Sequence, residues 1–449
     1  MDYSDLLEEL ERLRKENEQL KNLLAQYHIS IPTHNISCPH TSVVQNITIK
    51  SKDKQQPLLP LTPEEKIAIY QNLFRGRDDV FARRWYSTTT QKSGYQPVCL
   101  REWNPQFCDK KKYKCADCPN RQFAPLTYQD IYRHLQGKDE YGRDVVGLYP
   151  ICKDNTCNFL CADFDDKSCE HGYQNDVSAY ISVCRDWQIP YSIERSRSGN
   201  GAHVWIFFET PVPAVKARKL GNAILSEAMN REGRISFRSY DRLFPNQDYL
   251  PEGGLGNLVA LPLQGKARRE GNSVFVDDTF IPYCDQWAYL QDVAKLPTNT
   301  LETLLMLHSV TQELGELSTS TERKPWVAAK PIFISSEDFP ANLQIVRSNM
   351  LYIPLQGLSA KAVNHLKRLA AFKNPEFYSK RSMRLSVRNV PRVISCADMT
   401  EEYLALPRGC EDDVTALLQD RLIPYSVQDE TNFGSSAPIE FRGVLREEQ

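Results

Sequence analysis

Asp163 and Asp165 close an apolar run that begins at Cys157, and their type and spacing suit divalent-metal chemistry. Side chains in an extended strand alternate faces, so both carboxylates point one way while Phe164 points into packing. Like charges that close raise each other's pKa unless a cation lies between them, and hard oxygen ligands suit Mg²⁺ or Mn²⁺. A second stretch, Ser198 to His203, leads into the apolar strand Val204–Phe208. Gly199 and Gly201 can take positive φ, which lets backbone N–H groups and the Ser198 hydroxyl converge on an anion. His203, where that strand begins, aims at the same place. The pattern reads as a triphosphate contact beside a metal, with Asp166 a spare acid suited to a supporting or helix-capping role.

The elements that must position these groups follow from periodicity. Val177, Tyr180, Ile181 and Cys184 recur at i, i+3, i+4 and i+7, which predicts a helix after the acid strand; 191–195 then returns as a strand into the Ser198 turn. A second helix is expected over 213–230 and further strands over 145–149 and 256–264. Upstream, Thr62, Pro63 and Glu65 form a capping-box signature that starts a helix, and 126–136 reads as another. Arg83 and Arg84, beside Trp85, suit either a nucleic-acid backbone or a solvated face.

Cys99, Cys108, Cys115 and Cys118 are spaced Cys-x8-Cys-x6-Cys-x2-Cys in a lysine-rich segment with little apolar material to bury them. Four thiolates make a closed tetrahedral Zn²⁺ site, structural because no position is left for water. Cys152, Cys157 and Cys161 sit in apolar settings and read as core thiols.

The order and spacing of these blocks over roughly residues 60–290 resembles the archaeo-eukaryotic primase superfamily, most closely the primase-polymerase module of TOTE conflict systems. The resemblance implies an α+β fold with an RNA-recognition-like primase/polymerase core, here with the zinc-binding segment inserted. It implies a third acid after an apolar residue, which Tyr240-Asp241 fits better than its competitor Asp248. It also implies a basic residue near the phosphates, for which Lys266 is the candidate, with an exposed hairpin tip as the plainer reading. The activity implied is DNA-dependent, template-directed nucleotidyl transfer by a two-metal mechanism, with Asp163, Asp165 and Asp241 holding Mg²⁺ or Mn²⁺, nucleoside triphosphates as substrates, and single-stranded or primer-template DNA as partner. The alternatives are a gap-filling polymerase that needs a primer, and a non-catalytic, zinc-stabilised nucleic-acid-binding dimer.

The remaining chain organises around that core. Leu6, Leu13, Leu20 and Tyr27, with Tyr3, Leu10, Asn17 and Leu24, form heptad seams over 3–27, and one buried Asn17 favours a parallel homodimer. The expected divisions are a coiled coil at 1–29, a linker at 30–60, the catalytic domain at 61–300, a helix (301–317) and linker to 325, and a basic C-terminal region of mixed α/β type at 326–449. Between Lys361 and Arg392, nine Lys or Arg face a single acid, Glu376, with Phe372, Phe377 and Tyr378 interleaved; this suits a nucleic-acid groove or a solvated face. The tail from Phe441 resembles the opening of a superfamily 2 helicase core, so the chain is expected to be part of a primase-helicase protein without its helicase. A net charge of −2 gives no global attraction to nucleic acid, so any such surface is local. Thirteen cysteines without a signal peptide or an apolar run of transmembrane length point to a reducing cytoplasm and no membrane.

Overall fold

Two apolar faces of one strand, Thr156–Asp165, organise the molecule. The computed structural model describes residues 61–113, 115, 118–165, 172–250, 253–308, 334–383, 387, 390–432, 434, 440 and 443–444. The predicted coiled coil and linker, Asp166, the 318–324 linker and most of the helicase-like tail lie outside them.

The strand sits inside a five-stranded antiparallel sheet ordered Leu243–Phe244, Thr156–Asp165, Gly201–Pro213, Ser192–Arg195, Val274–Val276. Leu160, Ala162 and Phe164 face helices Tyr173–Asp186 and Ala214–Arg231. Phe164 packs edge-on to Tyr180 at 5.4 Å, and a Cβ on Gly221 would lie 3.1 Å from the Leu160 and Leu243 side chains. That helix seats a glycine against the strand, where a larger residue would push it away. On the other face, Phe159 and Cys161 pair in register with Phe207 and Trp205, and Phe74 stands edge-on to Trp205 at 5.2 Å. Trp205 is fully buried, and truncating such a ring costs about 3–5 kcal/mol. Continuing along this face, the next pair is Asp163 with His203. The apolar core therefore ends in the polar site.

Phe74 follows the helix Pro63–Leu73, whose Thr62–Glu65 capping box is formed, with Thr62 N–H donating to Glu65 at 2.8 Å and Glu65 N–H to Thr62 at 3.2 Å. A four-stranded sheet, ordered Ser93–Pro97, Ala82–Tyr86, Val146–Leu148, Val259–Ala260, adjoins the core. A five-stranded sheet built from Leu343–Arg347, Leu351–Pro354, Asp398–Met399, Tyr403–Leu406 and Tyr425–Asp429 has its own hydrophobic cluster with helices Ala360–Leu369 and Glu411–Asp420.

Three expectations change. The strand expected over 256–264 is only Val259–Ala260, because the rest passes from a glycine-containing loop to a buried cap. The basic cluster after it is a short helix, Gly265–Arg269, not a hairpin tip: the Gln264 side chain accepts from Ala267 N–H at 2.9 Å. The helix expected over 301–317 starts three residues early and is described over Thr298–His308. Among the described residues no helix is long and apolar enough to cross a membrane.

Candidate active site

Strand pleating puts Asp163 and Asp165 on one face, and Arg242 completes the arrangement. Arg242 directly precedes the strand Leu243–Phe244, and its carbonyl accepts from Asp163 N–H at 2.9 Å, which extends that pairing by one residue. Its Nη1 then reaches Asp163 Oδ2 at 2.9 Å and Asp165 Oδ2 at 3.0 Å. One guanidinium thus separates two like charges. The two carboxylates in turn hold its proton more tightly, against the opposing effect of burial. Asp163 Oδ1 is buried and has no hydrogen-bond partner among the described residues.

His203 faces that orphan oxygen, with Nε2 3.7 Å away. Its Nδ1 lies 2.8 Å from Glu194 Oε2, which also accepts from Trp205 Nε1–H at 3.0 Å. Glu194 is buried on the neighbouring strand, opposite His203 in register. Burial by itself would lower the His203 pKa; the Glu194 carboxylate, with Asp163 and Asp165, raises it to about 9. The imidazole is therefore protonated at neutral pH, as suits a phosphate contact. With three carboxylates against Arg242 and His203, the cluster keeps an excess of negative charge.

The glycine turn hangs over the same end of the sheet. Ser196 N–H donates to the Gly201 carbonyl at 2.8 Å and Gly199 N–H to the Ser196 carbonyl at 3.0 Å. Gly199 takes φ +80, where glycine is favoured, and a Cβ there would fall 2.8 Å from Asn272 Oδ1. Gly201 pairs with Asp165, and a Cβ on it would meet the Phe164 carbonyl at 2.6 Å and Asp165 Oδ1 at 3.0 Å. The second glycine is thus required by the acid strand beside it. The Ser198 hydroxyl, exposed at the tip, lies 3.2 Å from Ser196 Oγ and accepts from Asn200 N–H at 3.4 Å.

The other expected residues sit further out. Asp241 ends a 3₁₀ turn, Phe237–Asp241, and its carboxylate accepts from Arg392 N–H at 3.1 and 3.2 Å. Burial raises its pKa, and Arg392 opposes the rise. Its competitor Asp248 is buried in ion pairs with Arg218 and Arg381. Lys266 is exposed and donates from Nζ to the Glu140 carbonyl at 2.8 Å. Cys99, Cys108, Cys115 and Cys118 are half-buried free thiols. Burial raises the Cys115 pKa, with Cys108 and Cys99 near enough to add to the rise, and Cys99 Sγ accepts from Gln122 N–H at 3.4 Å. Among the described residues, no group of three or more His, Cys, Asp or Glu side chains is arranged to hold a metal ion.

Three cations of the basic C-terminal segment, Lys367, Arg381 and Arg392, are turned inward. Lys367 is buried and donates to the Gly233 and Ile235 carbonyls at 2.8 and 2.7 Å. Arg381 turns inward onto Asp248, and the Arg392 guanidinium turns inward onto the Asn246 carbonyl, with Nε 3.9 Å from Asp241. These cations hold the segment 233–248 because the acids and free carbonyls there need partners once buried. Arg242, Glu194 and Arg392 were not singled out from the sequence. A signal existed for Glu194, an acid in the strand that leads into the Ser198 turn, and for Arg242, next to the candidate third acid; for Arg392 there was none.

No curated protein matches the chain. Among solved structures, the polymerase domain from Mycobacterium tuberculosis Ligase D in complex with DNA is 14% identical with a TM-score of 0.28, covering 55% of this chain and 90% of that one, a likeness too slight to add to the geometry. The family profile of the TOTE conflict system archaeo-eukaryotic primase domain matches residues 65–304, a span that contains the acid strand, the glycine turn, His203 and Asp241. Because that match takes in more than half of the 449 residues, the chain belongs to the TOTE conflict system archaeo-eukaryotic primase family.

Proposed function

We propose that this chain is a DNA-dependent primase-polymerase, carrying out template-directed nucleotidyl transfer on the RNA-recognition-like face of its central sheet. The observation that carries the reading is the pairing of Asp163 with His203 across adjacent strands, beneath a turn that Gly201 packs onto Asp165. The donor set fits a divalent ion: two hard carboxylates, an orphan buried oxygen and a surplus of negative charge. Asp163 and Asp165 would hold Mg²⁺ or Mn²⁺, with Asp241 as the third acid, because Arg242 beside it is hydrogen-bonded into the acid strand while Asp248 is committed to two arginines. Arg242, 36% exposed at its side chain, occupies the place that the cation would take between the two carboxylates. Bound metal supplies activation of the 3′-hydroxyl and neutralisation of the phosphates.

The chain's own groups do the rest. The His203 imidazolium, the Ser198 hydroxyl and the Gly201 N–H hold the triphosphate, with Gly199 shaping the turn through its bond to Ser196 and Lys266 as the outer member of that set. Glu194 fixes the His203 ring and its protonation. Cys99, Cys108, Cys115 and Cys118 would bind a structural Zn²⁺, a reading that rests on their spacing and on the N–H to sulfur bond at Cys99. Residues 3–27 would join two such chains.

The deciding experiment supplies single-stranded template, nucleoside triphosphates and Mn²⁺ without primer, and compares the chain with Asp163→Asn. Products from the first and none from the second, with DNA binding equal, support the reading. Products only when a primer is added identify an extending polymerase instead, and incorporation by the variant at the parent's rate removes the catalytic assignment.

A further inference from the structure

Residues 99–123 leave the body as a closed loop. Val98 and Ala124 pin its base, with Ala124 N–H donating to the Val98 carbonyl at 3.1 Å, and Cys99 bridges Phe123. The loop carries large rings into solvent: Trp103 is 74% exposed, and Phe107 and Tyr113 are exposed as well. Trp103 takes φ +63, a left-handed conformation that costs a bulky residue energy and is kept here with the ring standing out. Burying these rings elsewhere would be the cheaper arrangement for folding alone.

Each ring is matched by a cation. Lys110 Nζ sits 3.8 Å over Trp103, the Arg101 guanidinium 4.6 Å over Phe107, and Lys112 Nζ 5.2 Å over Tyr113. In a chain of net charge −2, this loop has six basic and three acidic residues. Two of the acids are already engaged, Glu102 by Lys110 and Asp109 by the N–H groups of Lys111 and Lys112 at 3.0 and 3.1 Å. The lysine side chains at 111 and 112 remain exposed. An open groove runs between Leu100 and Gln106 beside the Trp103 ring. Arg121 ties the loop to the Gly253 carbonyl at 2.8 Å, five residues past Asp248 on the segment that follows the third acid.

We propose that this loop is a stacking platform for single-stranded DNA, in which Trp103 takes a base on the face opposite Lys110 while Lys111 and Lys112 contact phosphates. Rings that accept any base, flanked by cations, give the sequence-tolerant grip that a template strand requires. A protein partner would make less use of lysines ringed around each aromatic, since interface cores are depleted of lysine. The proposal rests on the polymerase reading only in that the template is a single strand.

The test is fluorescence anisotropy of a labelled oligo-thymidylate with the full chain, over a range of salt. Trp103→Ala is expected to weaken binding about tenfold at fixed salt, and Trp103→Phe to recover most of it. Trp103→Ala should leave the salt slope unchanged, while Lys111→Gln with Lys112→Gln lowers it by roughly 1–2. Binding by Trp103→Ala equal to the parent's overturns the platform while leaving the polymerase reading intact. Failure of the parent chain to bind the oligonucleotide at all overturns both.

Discussion

The backbone N–H of Arg392 donates to both carboxylate oxygens of Asp241, at 3.1 and 3.2 Å, across 151 positions of sequence. Its fully buried guanidinium also reaches the Asn246 carbonyl and lies 4.7 Å from the Phe377 ring. Residues beyond the family match, which ends at 304, therefore hold the loop that bears Asp241, the proposed third acid. The C-terminal region is part of the site's scaffold.

Arg392→Ala tests the side-chain part of that contact, since the backbone N–H to Asp241 survives the substitution. It removes a buried cation from between Asp241 and Asn246 and should lower stability by about 3–5 kcal/mol in urea unfolding, as breaking a buried pair does. Unfolding at the parent's midpoint would show that the contact is incidental.

On the proposed metal assignment, Arg242 and a divalent ion would compete for Asp163 and Asp165. In Arg242→Met the two carboxylates face each other without their guanidinium, so the ion gains. Mn²⁺ should bind about tenfold more tightly than to the parent, read as loss of the free-ion EPR signal. Weaker Mn²⁺ binding by the variant would mean that Arg242 supports the ion instead of replacing it.

Gly201→Ala places a methyl group 2.6 Å from the Phe164 carbonyl and 3.0 Å from Asp165 Oδ1. The carbonyl cannot withdraw, since it is backbone of the paired acid strand, and the Asp165 carboxylate must turn away from its place. A loss of about 1–3 kcal/mol is expected, together with a larger loss of incorporation than the stability change explains. Gly199→Ala strains a positive φ instead and contacts a movable Asn272 side chain, so its effect on Asp165 should be smaller.

His134 supplies a pH dependence away from the site. Its Nδ1 accepts from Val146 N–H at 3.2 Å and its Nε2 lies 2.9 Å from the Pro262 carbonyl, which fixes a neutral ring. Burial pushes its pKa down to about 4. Between an unfolded pKa of about 6.5 and that value, the unfolded chain binds the extra proton. Stability therefore falls as pH drops through this window and levels off below it, by about 3 kcal/mol for this group. His134→Gln should flatten that part of the profile relative to the parent in urea unfolding at pH 7, 5.5 and 4; parallel profiles would assign the loss to other groups.

Much of the site was legible because its logic is local. Alternation along one strand sufficed to put Asp163 and Asp165 on one face and Phe164 in the core, and the spacing of two glycines before His203 announced a tight turn at a strand start. The Thr62–Glu65 signature set a helix start for the same reason: both partners lie within one turn. For the basic run from Lys361 to Arg392, composition counts charges without saying which way they face. Lys367, Arg381 and Arg392 are spent inside, on carbonyls and acids that only folding brings to them.

The sequence by itself determined which residues could bear charge on the same face of a strand, since a period of two is dictated by backbone stereochemistry. Only the tertiary structure decided what meets those charges: Arg242 between the two carboxylates, Glu194 behind His203, and Arg392 on Asp241. Pairings of that kind depend on sheet order and on how distant segments pack, and no local rule of spacing encodes either.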